Sequence, residues 1–218
     1  PATASTVVNA AGCLVTPGLV NTHHHLYQTM TRAVPAGQDA ALFGWLQALY
    51  PIWAAMRPDD FFVSAQVGMA ELLLSGCTTT SDHLYLYPNG TRLEDTIEAA
   101  REIGMRFQPT RGAMSIGESA GGLPPDGLVE READILEDMI RVIDGFHDPR
   151  LGSMCRVGVA PCSPFSVSRE LMRDAALLAR DKGVMMHTHL AENDEDIAYS
   201  LESFGMRPGQ YAEELGWT

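Results

Sequence analysis

The sequence contains one lysine, Lys182, and this scarcity is informative. With 15 Lys plus Arg against 28 Asp plus Glu the formal net charge is −13, and no segment concentrates the cations that a polyanion needs, which argues against a nucleic-acid partner. Cysteine is also sparse. Cys13, Cys77, Cys155 and Cys162 are spread along 218 residues with no Cys-x-x-Cys, so neither a disulfide framework nor a Cys-based structural zinc site is indicated. Reduced thiols in a cytoplasmic protein are expected. There is no apolar run of about eighteen residues and no signal-peptide pattern, so no membrane association is expected. Pro1 stands where an initiator methionine would be, which leads us to expect a chain that begins inside something larger. What is present is 45% hydrophobic residues, enough to bury a sizeable core in one large domain or part of one.

Three of the seven histidines fall in Pro17-Gly18-Leu19-Val20-Asn21-Thr22-His23-His24-His25, a short apolar run that ends in imidazoles. Side chains two apart on a strand share a face, so His23 and His25 can close on one ion while His24 points away. Standing alone, such a pair fits solvated or core histidines as readily as ligands. A second apolar run ending in histidines shifts the balance: Val184-Met185-Met186-His187-Thr188-His189-Leu190-Ala191-Glu192, with a carboxylate three positions after the last histidine.

Along the chain, strand-like and helical segments alternate. Residues 5–9 and 13–16 read as short strand-like pieces around an Ala11-Gly12 turn, followed by a buried strand at 19–22. Residues 39–56, interrupted by Pro51, read as helical pieces in a long loop. Apolar positions at helical spacing predict helices over 58–74, 93–103, 126–146, 168–181, 194–204 and 208–215. Further strands are predicted at 77–81, 105–110, 156–160 and 184–187. Strands alternating with helices in this way predict a parallel β/α fold. His23, His25, Asp82, His83, Arg111, Cys162, His189 and Glu192 all fall at or just past carboxyl ends of strands, where parallel barrels build their sites. A closed barrel needs about eight strands, so the sequence reads as about the first five β/α units of one.

The histidine runs, Gly76-Cys77-Thr78-Thr79-Thr80 with Asp82, Pro109-Thr110-Arg111-Gly112 and Ala160-Pro161-Cys162-Ser163-Pro164 occur in an order that resembles the amidohydrolase superfamily. Within it they look like the branch of guanine and 8-oxoguanine deaminases, S-adenosylhomocysteine deaminase and triazine hydrolases. The resemblance implies a (β/α)8 TIM-type barrel beside an amino-terminal β-sandwich, with residues 1–16 as the end of the sandwich and 17–218 as a partial catalytic barrel. It implies one divalent metal, zinc first and iron second, held by His23, His25 and His189. Glu192 matches the carboxylate that moves protons between water and the substrate ring, whereas His24 and His187 match positions that are not ligands. The superfamily's sixth-strand histidine and eighth-strand aspartate have no counterpart in these 218 residues. The bridging lysine of binuclear members is absent too, because the fourth strand runs into Cys162, and a single ion follows.

Four residues are expected to meet substrate: Gln28, Trp53, Arg111 and Cys162. The Gln28 amide both donates and accepts, as reading a purine edge requires. Arg111 offers a fixed fork of donors to a ring carbonyl or carboxylate, or else pairs with loop acids. Cys162 replaces a histidine of adenosine-type relatives, or is a buried apolar filler. Trp53 falls where some relatives place a ribose-binding acid, which implies a free base. The expected activity is metal-dependent hydrolytic deamination of an aminated purine-like heterocycle, 8-oxoguanine first. A triazine amino- or chlorohydrolase, a guanine- or cytosine-type deaminase and a non-catalytic metal-binding segment are the alternatives. The expected partner is a small heterocycle, with homo-oligomerisation left open.

Overall fold

The computed structural model describes residues 4–217. Its framework is a parallel sheet in the order β1-β2-β3-β4, formed by Leu19–Asn21, Cys77–Leu84, Arg106–Ala113 and Gly158–Pro161. Helices α1 (Leu42–Trp53) and α2 (Pro58–Leu74) connect β1 to β2, α3 (Leu93–Ile103) connects β2 to β3, and α4 (Glu132–Phe146) connects β3 to β4. After β4 come α5 (Arg169–Lys182), α6 (Asp194–Phe204) and α7 (Pro208–Glu214). A helix in each crossover is what parallel pairing demands, and the result is a partial α/β barrel.

Local chemistry explains the elements. β2 opens with β-branched Thr78, Thr79 and Thr80, and its second half is buried on both faces, as a covered parallel sheet requires. The apolar stripe of α4, Ile135, Met139, Val142 and Ile143, is buried, each side chain contributing about 1.5–3 kcal/mol of transfer free energy. Ser168 starts α5 by accepting from the Leu171 amide at 3.0 Å. Gly183 ends it at φ 65°, a conformation that costs glycine little and turns the chain directly back toward β4.

Several predicted elements are corrected. Residues 42–53 are one helix although Pro51 lies inside it; the proline stands two residues from the carboxyl end, so it removes one intrahelical hydrogen bond and the chain leaves the helix soon after. The helix predicted from 126 is a short 3-10 turn, Asp126–Leu128, and α4 begins only at Glu132. The predicted fifth strand, 184–187, makes a single bridge, Met186 to Val159. Its backbone still follows β4: the Val159 amide donates to Met185 O, the His187 amide to Val159 O, both at 3.0 Å. A Cβ on Gly158 would lie 2.9 Å from Met185 O, so the close approach depends on glycine there. Residues 5–9 and 13–16 do not pair as strands, and Val7, Val8, Leu14 and Val15 are exposed, so their apolar side chains lack a sheet to cover.

Candidate metal centre

Both histidine runs leave their strands at the same end of the sheet. The backbone of His24 accepts from the His83 amide at 2.7 Å, and Asp82 Oδ1 accepts from the Leu26 amide at 2.7 Å, so β2 clamps the segment that carries His23 and His25. On the other side the His189 amide donates to Cys162 O at 2.9 Å, which holds His189 against the end of β4. Ligand atoms of His23, His25 and His189 thereby come within 4.8 Å of one another.

Hydrogen bonds fix the tautomers of two of these rings. His25 Nδ1 lies 2.7 Å from His83 O and His189 Nδ1 lies 2.7 Å from Cys162 O; a carbonyl only accepts, so each Nδ1 carries the proton. Each Nε2 is therefore a bare lone pair. These two lone pairs face each other at 3.1 Å, with no proton available to join them. Such an arrangement is repulsive unless a cation shares it, and carbonyl-anchored Nδ1–H groups are how proteins orient histidine ligands. His23 Nδ1 meets His187 Nε2 at 2.9 Å, which supports His23 beside the pair. Burial, with the crowding of the His189 imidazole second, holds His25 well below the ordinary imidazole range; burial also lowers His23 and His189. Neutral imidazole is the form that ligates.

The cluster opens into a cavity of about 320 Å³, lined also by Gln28, Cys162 and Glu192. Burial, then Asp196, raises the Glu192 carboxyl, bringing its proton affinity nearer neutrality. The turn before Glu192 places Ala191 at φ 55°, a left-handed conformation, and the Glu192 amide donates to Asp196 Oδ2 at 2.7 Å. Burial pushes the Cys162 thiol up to about 12, so it stays protonated at neutral pH.

Two of the predicted substrate contacts lie elsewhere. Trp53 is fully buried, with Nε1 donating to Thr31 Oγ1 at 3.1 Å, and does not line the cavity. Arg111 is held by both oxygens of Glu130 at 2.7 and 3.0 Å and by Asp138 at 2.6 Å, stacks over Tyr87, and is absent from the cavity wall. The ion-pair alternative is the one its contacts match. Conversely, Trp45, Tyr50, Tyr85 and Phe165 line the cavity and were not predicted. Tyr85 follows His83 by two positions, a same-face spacing that would have pointed to it.

The amidohydrolase family profile matches residues 14–216. The chain belongs to the amidohydrolase family. One relative within the family is 8-oxoguanine deaminase of Pseudomonas aeruginosa, 46% identical over 211 residues, which cover 96% of this chain and 47% of that protein. Another is hydroxydechloroatrazine ethylaminohydrolase of Pseudomonas sp. strain ADP, 38% identical over 97% of this chain and 44% of that protein. Among solved structures, the zinc complex of atrazine chlorohydrolase from Arthrobacter aurescens TC1 superposes with a TM-score of 0.87 at 32% identity, covering 92% of this chain and 46% of the other. The chain spans about half the length of the curated relatives it matches. No helix among the described residues is long and apolar enough to cross a membrane.

Proposed function

We propose that the chain forms the metal-binding half of an aminohydrolase that deaminates an aminated purine-like heterocycle, with 8-oxoguanine the leading substrate. The observation that carries this reading is the pair of aprotic Nε2 atoms of His25 and His189 facing each other at 3.1 Å in the wall of a cavity that also contains Glu192. His25 and His189 would hold the ion through Nε2, with His23 as the third ligand and zinc favoured for its imidazole affinity. When bound, the ion acidifies water toward neutrality and so supplies the nucleophile. Glu192, its carboxyl raised by burial and by Asp196, takes a proton from water and delivers it to a ring nitrogen, which makes the amine-bearing carbon more electrophilic. Gln28 and the protonated Cys162 thiol offer polar edges to the heterocycle, and the rings of Trp45, Tyr50 and Phe165 suit its flat faces. The two-part reading, 1–16 from a β-sandwich and 17–218 from the barrel, is supported by the uncovered apolar side chains of Val7, Val8, Leu14 and Val15.

The identity to 8-oxoguanine deaminase favours a purine, and the superposition on a triazine hydrolase favours a second reading, hydrolysis of a substituted triazine. Turnover of 8-oxoguanine, guanine and a hydroxylated triazine by the enzyme that carries this chain separates them. Faster turnover of 8-oxoguanine supports the first reading, and a preference for the triazine replaces it. Glu192→Gln is expected to retain bound metal and lose about 10²–10⁴-fold in kcat. Normal turnover by that variant removes Glu192 from the mechanism.

A further inference from the structure

The three imidazoles that would hold the ion are not anchored alike. His25 and His189 each donate Nδ1–H to a main-chain carbonyl, that of His83 and that of Cys162, both at 2.7 Å. His23 meets a side chain instead: its Nδ1 lies 2.9 Å from Nε2 of His187. Packing does not replace the missing carbonyl, because His23 is the exposed member of the three while the other two are partly buried. Its ring stands edge to face against those of His25, His187 and His189, with centroids 4.8, 4.9 and 5.1 Å away.

The sheet holds His187 in place. Its amide donates to Val159 O at 3.0 Å, directly after the bridge from Met186 to the same residue, and its ring leans on that of His83 with centroids 4.9 Å apart. His187 stands outside the group formed by His23, His25 and His189, whose ligand atoms come within 4.8 Å of one another. It does not line the cavity either.

The short contact between His23 and His187 differs from the one between His25 and His189. There both Nδ1 atoms are committed to carbonyls and no proton is left for the facing nitrogens, whereas a proton is free to sit between His23 Nδ1 and His187 Nε2. Its place decides what His23 can do. On His23 Nδ1 it leaves a neutral ring with a bare Nε2, the state in which His25 and His189 are already set. On His187 Nε2 it makes His23 Nδ1 an acceptor, and a neutral His23 must then carry its own proton on Nε2, where it cannot ligate. We infer that His187 is a positioning residue, the acceptor that orients the His23 ring and keeps its Nε2 free for the metal. The inference rests on the metal-centre reading above and adds to it a residue that touches neither the ion nor the heterocycle.

The test is the zinc affinity of the enzyme that carries this chain, measured by competition with a chromophoric chelator. His187→Leu, which removes the acceptor, should weaken binding about 10–100-fold. His187→Gln, whose amide oxygen can accept in place of Nε2, should restore affinity to within about threefold of the parent. The decisive comparison is made in a His23→Ala background. There His187→Leu should change affinity by less than about twofold, since an effect that passes through His23 vanishes with it. A loss in His187→Gln as deep as in His187→Leu, or an undiminished effect in the His23→Ala background, makes His187 a ligand in its own right and overturns the proposal. Parental affinity in His187→Leu overturns it as well. Should His187→Leu fail to fold, NMR of the zinc-loaded parent with isotope-labelled histidine reads the same point. A protonated Nδ1 on His23 and a metal-free Nε2 on His187 are expected, and metal on either atom overturns the assignment. A parent that takes up no zinc removes the metal reading and the positioning role together, whereas zinc binding that is indifferent to His187 removes the positioning role alone.

Discussion

Arg111 lies in the carboxyl-terminal half of β3 and His189 is held beside the carboxyl end of β4, yet their surroundings are opposite. Four of the five N–H donors of the Arg111 guanidinium are answered, by Glu130 on two nitrogens, Asp138 on Nε and the Gly112 carbonyl at 2.5 Å, and the Tyr87 ring lies beneath it at 3.9 Å. His189 is anchored at Nδ1 and left bare at Nε2, opposite an equally bare His25. A network this nearly closed stabilises a fold and has little left with which to bind. Convergent atoms of one polarity, held in place by the backbone, are costly to the fold and available to a ligand.

The contrast can be broken at its strongest point by His189→Ala. Zinc affinity, measured by competition with a chromophoric chelator, should fall by more than about 100-fold, beyond the range typical of outer-shell changes. An affinity within threefold of the parent would show that the facing nitrogens are not the binding atoms. Next in size is Arg111→Met, which leaves Glu130 and Asp138 without their buried cation. Urea unfolding should show a loss of about 3–5 kcal/mol while zinc affinity stays within about twofold. Unchanged stability with lost turnover would instead return Arg111 to the substrate.

Asp82 tests an intermediate case, a buried group with one oxygen on the Leu26 amide and the other unpartnered. Burial raises its carboxyl from 3.8 to about 7. A raised folded value means that folding favours the protonated form. Its contribution is complete below about pH 4 and is lost as the pH climbs toward 7, by up to about 4 kcal/mol. Asp82→Asn should flatten that slope in unfolding experiments run from pH 4 to 8, and an unchanged slope would place the titration elsewhere. The smallest effect is expected at Trp53→Phe, which removes the bond to Thr31. About 1 kcal/mol of stability should be lost, with KM for the heterocycle unmoved; a raised KM would mean that the indole reaches substrate after all.

What could be read from the sequence depended on range. The His23–His25 pairing follows from a period of two, and the nearness of Glu192 to His189 from three positions of chain. Most helices were legible because apolar stripes such as that of α4 are local. Trp53 and Trp45 share α1, and which of them faces the cavity is decided by how that helix packs. Arg111 was harder still, since Glu130 and Asp138 reach it from a later loop and from α4. The segment 184–187 has a strand's composition, but pairing is a property of two segments, and only Met186 found its bridge.

The carbonyls that anchor His25 and His189 belong to His83 and Cys162. At position 162 one amino acid thus turns its thiol toward the cavity and its main chain toward the His189 ring. Point substitution replaces the first and spares the second. The lining of the cavity can therefore change at this residue while the orientation of the His189 ring is inherited intact, so shape and anchorage are free to evolve separately.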